Sequence, residues 1–325
     1  VADRQEPATA KLRRERLEDK IAVLKEQMIA LKEIEVVLNE TPDKQISLTD
    51  PDARSMKTRG TGIVGYNVQT AVDAKHHLIV AHEVTNVGSD REQLASMAKL
   101  AREAMGVKEL TAIADRGYFR NEEILASHEA GITVMVPKVV ISTATANGRF
   151  SKADFIYDAK HNEYRCPAGE HLKWRYETTE RDMKLHRYWS SNCKTCAIKD
   201  KCTLGEQRRL TRWEHEAVLD EMQTRLDHHP DAMRIRRQTV EHPYGTIKLW
   251  MGSAHFLTKT IDRVSTEMSL HILAYNMKRM MKIFGIIALM KAILARWPLL
   301  QFNRAVICLH REAFLYTQRK IVYAL

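Results

Sequence analysis

No stretch of this chain is both long and free of charge. The most apolar run, Ile283 to Leu300, is broken by Lys291, Arg296 and Pro298. It reads as a buried helix and not as a membrane span, which needs about 20 apolar residues in succession. No secretory signal is visible in the first residues given, which are polar and charged. Cysteine is scarce. Five in 325 residues, four of them clustered, argue against a disulfide framework and for metal binding or reduced thiols in a cytoplasmic setting. Methionine is absent from position 1 and the sequence opens in mid-pattern, so a further N-terminal part is expected ahead of Val1.

Acid is the minority charge. Lys and Arg number 51 against 41 Asp and Glu, a formal charge of +10. A basic excess suits a polyanionic partner, since phosphates attract it over distance and release counterions on contact. Many basic proteins bind no nucleic acid, so charge alone does not decide. Hydrophobic residues at 44% and charged residues at 28% fit a globular protein, long enough for one large core or two smaller ones.

Along the chain, Leu17, Ile21, Leu24, Met28, Leu31 and Leu38 recur at steps of four and three within residues 9–39. This is a helix with a narrow apolar seam, interrupted by Glu35. One arm of an antiparallel helical hairpin is preferred to a dimerising coiled coil. Residues 47–65 read as a glycine-bearing loop. Val64 to Val72 and Leu78 to Val84 read as a β-hairpin turning at Asp73. Ser89 and Glu92 have the spacing of a capping box ahead of a helix buried through Leu94, Met97, Ala98, Ala101 and Met105 and ended by Gly106. A strand, Leu110 to Ala114, follows. Then come a helix from about Asn121, a stop at Gly131, and the strand Ile132 to Val136. The order predicts an α/β core with a mixed sheet. From about Lys138 to Arg212 periodicity weakens and cysteines appear. Helices are expected over about 212–228, from about Asp231 with a kink or early boundary at Pro243, and over about 261–284.

Two carboxylates stand out. Asp115 ends the strand Leu110 to Ala114 and is followed by Arg116-Gly117-Tyr118-Phe119. The carboxyl ends of strands are where open α/β sheets keep their chemistry, although a lone strand-end Asp is more often simply solvated. The second is Glu241, with Arg237 four residues before it and Lys248 seven after. An Ala-Asp-Arg-Gly-Tyr strand end followed by Arg-x3-Glu-x6-Lys resembles the DDE transposases of bacterial insertion sequences. The tyrosine that usually opens that signature would fall at Arg234, so this element is absent.

The resemblance implies an RNase H-like fold and metal-dependent phosphoryl transfer on DNA. Asp115 and Glu241 would be the second and third acids and the ligands of Mg²⁺ or Mn²⁺, which favour hard oxygen donors. Double-stranded DNA, both element ends and target, would be the partner, with a homodimer on DNA admitted and no membrane. Arg237, Lys248 and Arg234 would contact phosphates, the alternative being a solvated basic face. Tyr118 and Tyr244 could stack on a nucleotide or pack in the core. The first acid lies before the helical arm in the family, hence ahead of Val1. Asp50, Asp52 and Asp73 are weaker candidates with ordinary turn roles open to them. The chain then divides into a helical, coiled-coil-like arm (1–45), the first part of the core (46–137), a Cys-rich insertion (138–212), the helical part carrying the third acid (213–284) and a C-terminal helical tail (285–325).

In the insertion, Cys166 precedes a Cys-x2-Cys-x5-Cys run formed by Cys193, Cys196 and Cys202. Two turns presenting thiolates can close a tetrahedral Zn²⁺ site, with His171 and His186 as substitute ligands. Reduced, partly buried thiols are the alternative. Cys308 is remote from them. Three functions are carried forward: a transposase in truncated form, a catalytically inactive basic DNA-binding remnant, and a metal-dependent nuclease on the same fold.

Overall fold

The computed structural model describes residues 8–57, 62–138, 143–302 and 320–324; Cys308 lies outside them. The helices are α1 (Ala8–Glu40), α2 (Leu94–Met105), α3 (Asn121–Glu129), α4 (Thr143–Ala146), α5 (Glu216–Asp227), α6 (Ala232–Gly245), α7 (Ile261–Phe284) and α8 (Ile286–Phe302). The strands are β1 (Arg54–Lys57), β2 (Gly62–Gly65), β3 (Asn67–Asp73), β4 (Ile79–Thr85), β5 (Leu110–Ile113), β6 (Ile132–Met135), β7 (Ile156–Asp158), β8 (Glu163–Arg165), β9 (His171–Glu180), β10 (Met183–Trp189), β11 (Leu210–Trp213) and β12 (Lys320–Ala324). The chain forms two compact units.

One unit comprises Val1–Val68, Val84–Gly88 and His255–Leu270. Residues 47–65, expected as a loop, hold the antiparallel pair β1 and β2, in which Ile63 and Val64 sit opposite Met56 and Ser55. The flanking glycines hid the two β-branched residues. Asp50 and Asp52 cap the start of α7. Asp50 Oδ1 accepts from the Thr260 N–H at 3.2 Å and Asp52 Oδ2 from that of Ile261 at 2.9 Å. The Tyr66 hydroxyl also donates to Asp50, at 2.8 and 2.9 Å. Both carboxylates therefore satisfy donors that a helix start leaves open, where negative charge is favoured. The seam of α1 is exposed: Leu17, Ile21, Leu24, Met28 and Leu31 are each half accessible or more.

The other unit comprises Gln69–Glu83, Ser89–Ala254 and His271–Leu325. Its principal sheet runs β4-β3-β12-β5-β6. Here β12 pairs antiparallel with β3 and parallel with β5, and β5 pairs parallel with β6. The last strand in sequence thus holds the middle of the sheet, which sequence periodicity did not reveal. Side chains alternate across a strand. On one face Leu110, Ala112, Ala114, Ile132, Val134 and Val136 join Leu94, Met97, Ala98 and Ala101 of α2, Ile124 of α3 and Leu219 and Met222 of α5. On the other face Ile113 and Met135 meet Ala232 and Val240 of α6. Gly106, at φ +60°, ends α2. The expected capping box does not form. Ser89 caps a short 3-10 turn, Asp90–Glu92, and the Glu92 carboxylate instead pairs with Arg120. The α2 start is satisfied from outside, with the Ala95 N–H donating to Glu123 Oε2 at 2.8 Å.

Residues 156–213 build a second sheet, β11-β10-β9-β8-β7, antiparallel throughout. Weak periodicity concealed it because its core is a small cluster of mixed residues: Phe155, Tyr164, Leu172, Tyr188 and Leu210. The Arg212 guanidinium stacks 3.8 Å above the Tyr157 ring. The helix expected from Arg212 starts later, at Glu216, because Arg212 belongs to β11 and the Trp213 N–H donates to Glu216 Oε2 at 2.9 Å. Glu216 is buried against Lys152. Helix α6 continues through Pro243 and widens into a π turn, Thr246–Trp250, the local form that often accommodates a lost i−4 bond. Ile283 to Leu300 does not read out as a buried helix: Ile286, Ile287, Met290 and Leu294 are exposed. An apolar run signals burial only where other elements cover it. Among the described residues no helix is long and apolar enough to cross a membrane.

Two outcomes follow for stability. Val322→Pro removes a main-chain donor from a strand paired on both sides, and should cost about 2–4 kcal/mol in a urea titration. Opposing effects act on Glu216: burial raises its pKa, while the Lys152 charge and hydrogen bond, with Lys138, prevail and hold it below its usual value. Its contribution is therefore complete above the unfolded carboxylate pKa and is lost as pH falls through the lowered folded one. Glu216→Gln should destabilise by about 2–3 kcal/mol at neutral pH. This is less than for a fully buried pair, because the Lys152 side chain is 36% exposed. The difference from the parent should narrow in acid.

Candidate active site

Asp115 lies just past β5, with extended backbone (φ −81°, ψ 179°), and caps the 3-10 turn Arg116–Tyr118. Its Oδ1 accepts from the Gly117 N–H at 2.7 Å. Its Oδ2 lies 3.4 Å from Arg236 Nη2; the carboxylate is half exposed and the guanidinium nearly buried. Gly117 leaves the Asp115 carboxylate its present position. A Cβ there would stand 2.9 Å from Asp115 Oδ1 and 3.5 Å from Asp90 Oδ2. Two carboxylates therefore converge on this glycine.

Asp90 is held by a buried chain of hydrogen bonds. The Tyr118 hydroxyl donates to Gln69 Oε1, and Gln69 Nε2 donates to Asp90 Oδ1 at 2.7 Å. Tyr118 and Gln69 are almost completely inaccessible. Burial, followed by the Asp90 charge, lifts the Tyr118 phenol far above its ordinary value. Tyr244 is pushed up to about 12, chiefly by burial and further by Asp90. Tyr118 is thus a core residue and not a stacking platform.

Glu241 sits on α6, whose buried side is formed by Ala232, Arg236, Thr239, Val240 and Pro243. At about 100° per residue, Glu241 falls on the opposite, exposed side together with Arg234 and Arg237. The α6 residue that meets Asp115 is Arg236. Val240, next to Glu241, packs with Ile113, two residues before Asp115. The elements that carry the two acids are therefore in contact, but Glu241 itself lies on the side of α6 away from the one that meets Asp115. Arg234 pairs with Asp231 at 3.1 Å. Lys248, exposed on the π turn, has its Nζ 5.5 Å from the centre of the Tyr244 ring.

The weaker acid candidates are committed elsewhere. Asp50 and Asp52 cap α7, and Asp73 Oδ2 accepts from the His76 N–H at 2.7 Å in the β3–β4 turn. Sequence reading missed Asp90, which looked like a helix start. It also placed Arg236 among crowded surface arginines. The phase of Ala232, Thr239, Val240 and Pro243 would have turned Arg236 inward.

Compared with known protein families, residues 40–277 match the transposase DDE domain. The chain belongs to that family. The matched span contains Asp115, Asp90, Glu241 and all four clustered cysteines. No curated protein and no solved structure matches the chain. Transposition of DNA is therefore the general function, and transposases of this kind generally work with Mg²⁺ or Mn²⁺. The two side chains that converge at Gly117, Asp115 and Asp90, offer carboxylate oxygens, the donor type that such a hard cation takes.

Tyr118→Phe tests the chain that holds Asp90. It removes a donor from the buried Gln69 Oε1, and a urea titration should show a loss of about 1–3 kcal/mol. An unchanged midpoint would mean that this bond holds nothing in place.

Proposed function

We propose that this chain is an insertion-sequence transposase that cleaves and joins double-stranded DNA by metal-dependent phosphoryl transfer on an RNase H-like core. The observation that carries the reading is the docking of α6 on the sheet: Val240 packs on Ile113, so Glu241 and Asp115 are borne by touching elements at the carboxyl end of β5. The mixed sheet, with a hairpin on one side of β12 and two parallel strands on the other, supports the core assignment. Asp115 would hold the Mg²⁺ or Mn²⁺, and Glu241, which lies on the outer side of α6, would join it only when α6 turns that side toward Asp115; in a two-ion arrangement the ions activate the attacking oxygen and stabilise the leaving one. Arg237 and Lys248 are exposed and are the residues assigned to DNA phosphates. Arg234 joins them on the same side of α6, at the expense of its pair with Asp231. Arg236 keeps a positive charge beside Asp115.

The test is cleavage of DNA carrying element ends, in Mg²⁺ and in Mn²⁺, beside binding measured across a salt series. Binding should weaken steeply with salt, and Arg237→Ala and Lys248→Ala should each reduce the log–log slope by about 1. Asp115→Asn and Glu241→Gln should lower cleavage by roughly 100-fold or more, with affinity nearly unchanged. Cleavage that survives both substitutions would defeat the assignment. Because Asp50, Asp52 and Asp73 have structural bonds of their own, a second reading remains in view, a basic DNA-binding protein without chemistry. Salt-sensitive binding with no cleavage by the parent chain would favour it.

A further inference from the structure

Four thiols converge far along the chain from the acids. Cys166 opens the β8–β9 turn. Its N–H donates to the Glu170 carbonyl at 2.9 Å and its carbonyl accepts from the Gly169 N–H at 2.9 Å. Gly169, at φ +86°, permits this tight return. The other three come from the segment between β10 and β11. Cys193 lies in the 3-10 turn Ser191–Thr195, which Cys196 closes. The Lys199 N–H donates to the Cys196 carbonyl at 3.2 Å, and the Cys202 N–H to that of Lys199 at 2.8 Å. All four are free and half-buried. They line one cavity of about 30 Å³, together with Phe155, Leu172 and Arg208. His171 and His186 are not among its lining residues. His171 is bonded to Glu163 at 2.7 Å instead.

Residues 190–209 span twenty positions with 3-10 turns as their only regular structure. A segment of that length in a compact domain needs something to hold it, and its hydrophobic anchorage is small, with Leu204 79% exposed. Two turns that deliver four sulfurs to one small cavity provide such a fastening. Thiolates in a set of four select zinc by softness and tetrahedral geometry. A tetrathiolate zinc carries two net negative charges, and Lys194, Lys199, Lys201 and Arg208 lie in the same segment. We propose that Cys166, Cys193, Cys196 and Cys202 bind one structural Zn²⁺, which ties the 190–209 segment to the β8–β9 turn. Among the described residues, the trio whose ligand atoms already lie within 4.8 Å of one another is Asp158, His161 and Glu163. The sulfurs are spaced more widely than the roughly 3.8 Å of a zinc tetrahedron with Zn–S near 2.3 Å, so the ion must draw the two turns together.

The experiment uses the full chain, expressed with zinc and purified without chelator. Elemental analysis should give close to one zinc per chain, and replacement by Co²⁺ should give the visible and charge-transfer bands of a tetrahedral thiolate centre. Cys193→Ser and Cys202→Ser should each reduce zinc several-fold, whereas His161→Ala should leave it unchanged. If the serine variants do not fold, the parent protein still decides. Chelation should expose four thiols to a thiol reagent and should speed proteolysis within residues 190–209, both reversed by added zinc. Absence of zinc, retention of zinc in the serine variants, loss of zinc in His161→Ala, or recovery of the four cysteines as disulfides would overturn the proposal.

Discussion

The seating of α6 on the sheet is the contact on which the site depends. β5 alternates faces, so Leu110, Ala112 and Ala114 enter one core while Ile113 points to the other side. Ala232 and Val240 cover Ile113 and Met135 there. This apolar contact sets the height and rotation of α6. Arg236 then reaches Asp115 and Glu241 turns outward with Arg237. A shift of one residue in β5 would exchange its faces and remove α6 from the place where Asp115 emerges. The polar site therefore inherits its geometry from four aliphatic side chains.

Around Asp115 the local chain is equally constrained. Gly117 leaves room for the Asp115 carboxylate, which a Cβ would displace, while the same Cβ would stand at ordinary contact distance from that of Asp90. Tyr118, 49 residues after Gln69 in the sequence, bonds to it in the interior and so fixes Asp90 from behind. In the Ala-Asp-Arg-Gly-Tyr stretch the glycine thus supplies space and a main-chain donor for the aspartate, and the tyrosine anchors the turn in the core.

Much of this was legible in the sequence. The strand ending at Asp115, the helix closed by Gly106 and the helix bearing Glu241 follow from local apolar periodicity and end signals, which are carried by neighbouring residues. What stayed hidden depends on distant partners. Strand β12 is five residues at the far end of the chain, and nothing local shows that it fits between β3 and β5. The second sheet is built on an aromatic cluster, and cation–π stacking of Arg212 on Tyr157 leaves no alternating pattern. The exposed run in α8 looked like core because hydropathy records composition and not coverage. Asp90 was passed over beside the helix start at Ser89 because the Gln69 that grips it lies 21 residues earlier.

The Asp115–Arg236 pair resolves a tension in the site. A carboxylate meant for a cation gains little if a guanidinium already holds it firmly. Here the contact is 3.4 Å long and the carboxylate is half open to water, while the guanidinium is nearly buried, so water weakens the pair from the carboxylate side only. Asp115 is therefore restrained but available. Arg236, nearly buried and held by the phase of α6, does not leave with its partner. It keeps a positive charge beside Asp115. The same helix thus carries a glutamate on its outer side and a nearly buried arginine on its inner side, and the packing of Val240 on Ile113 fixes which of the two meets Asp115.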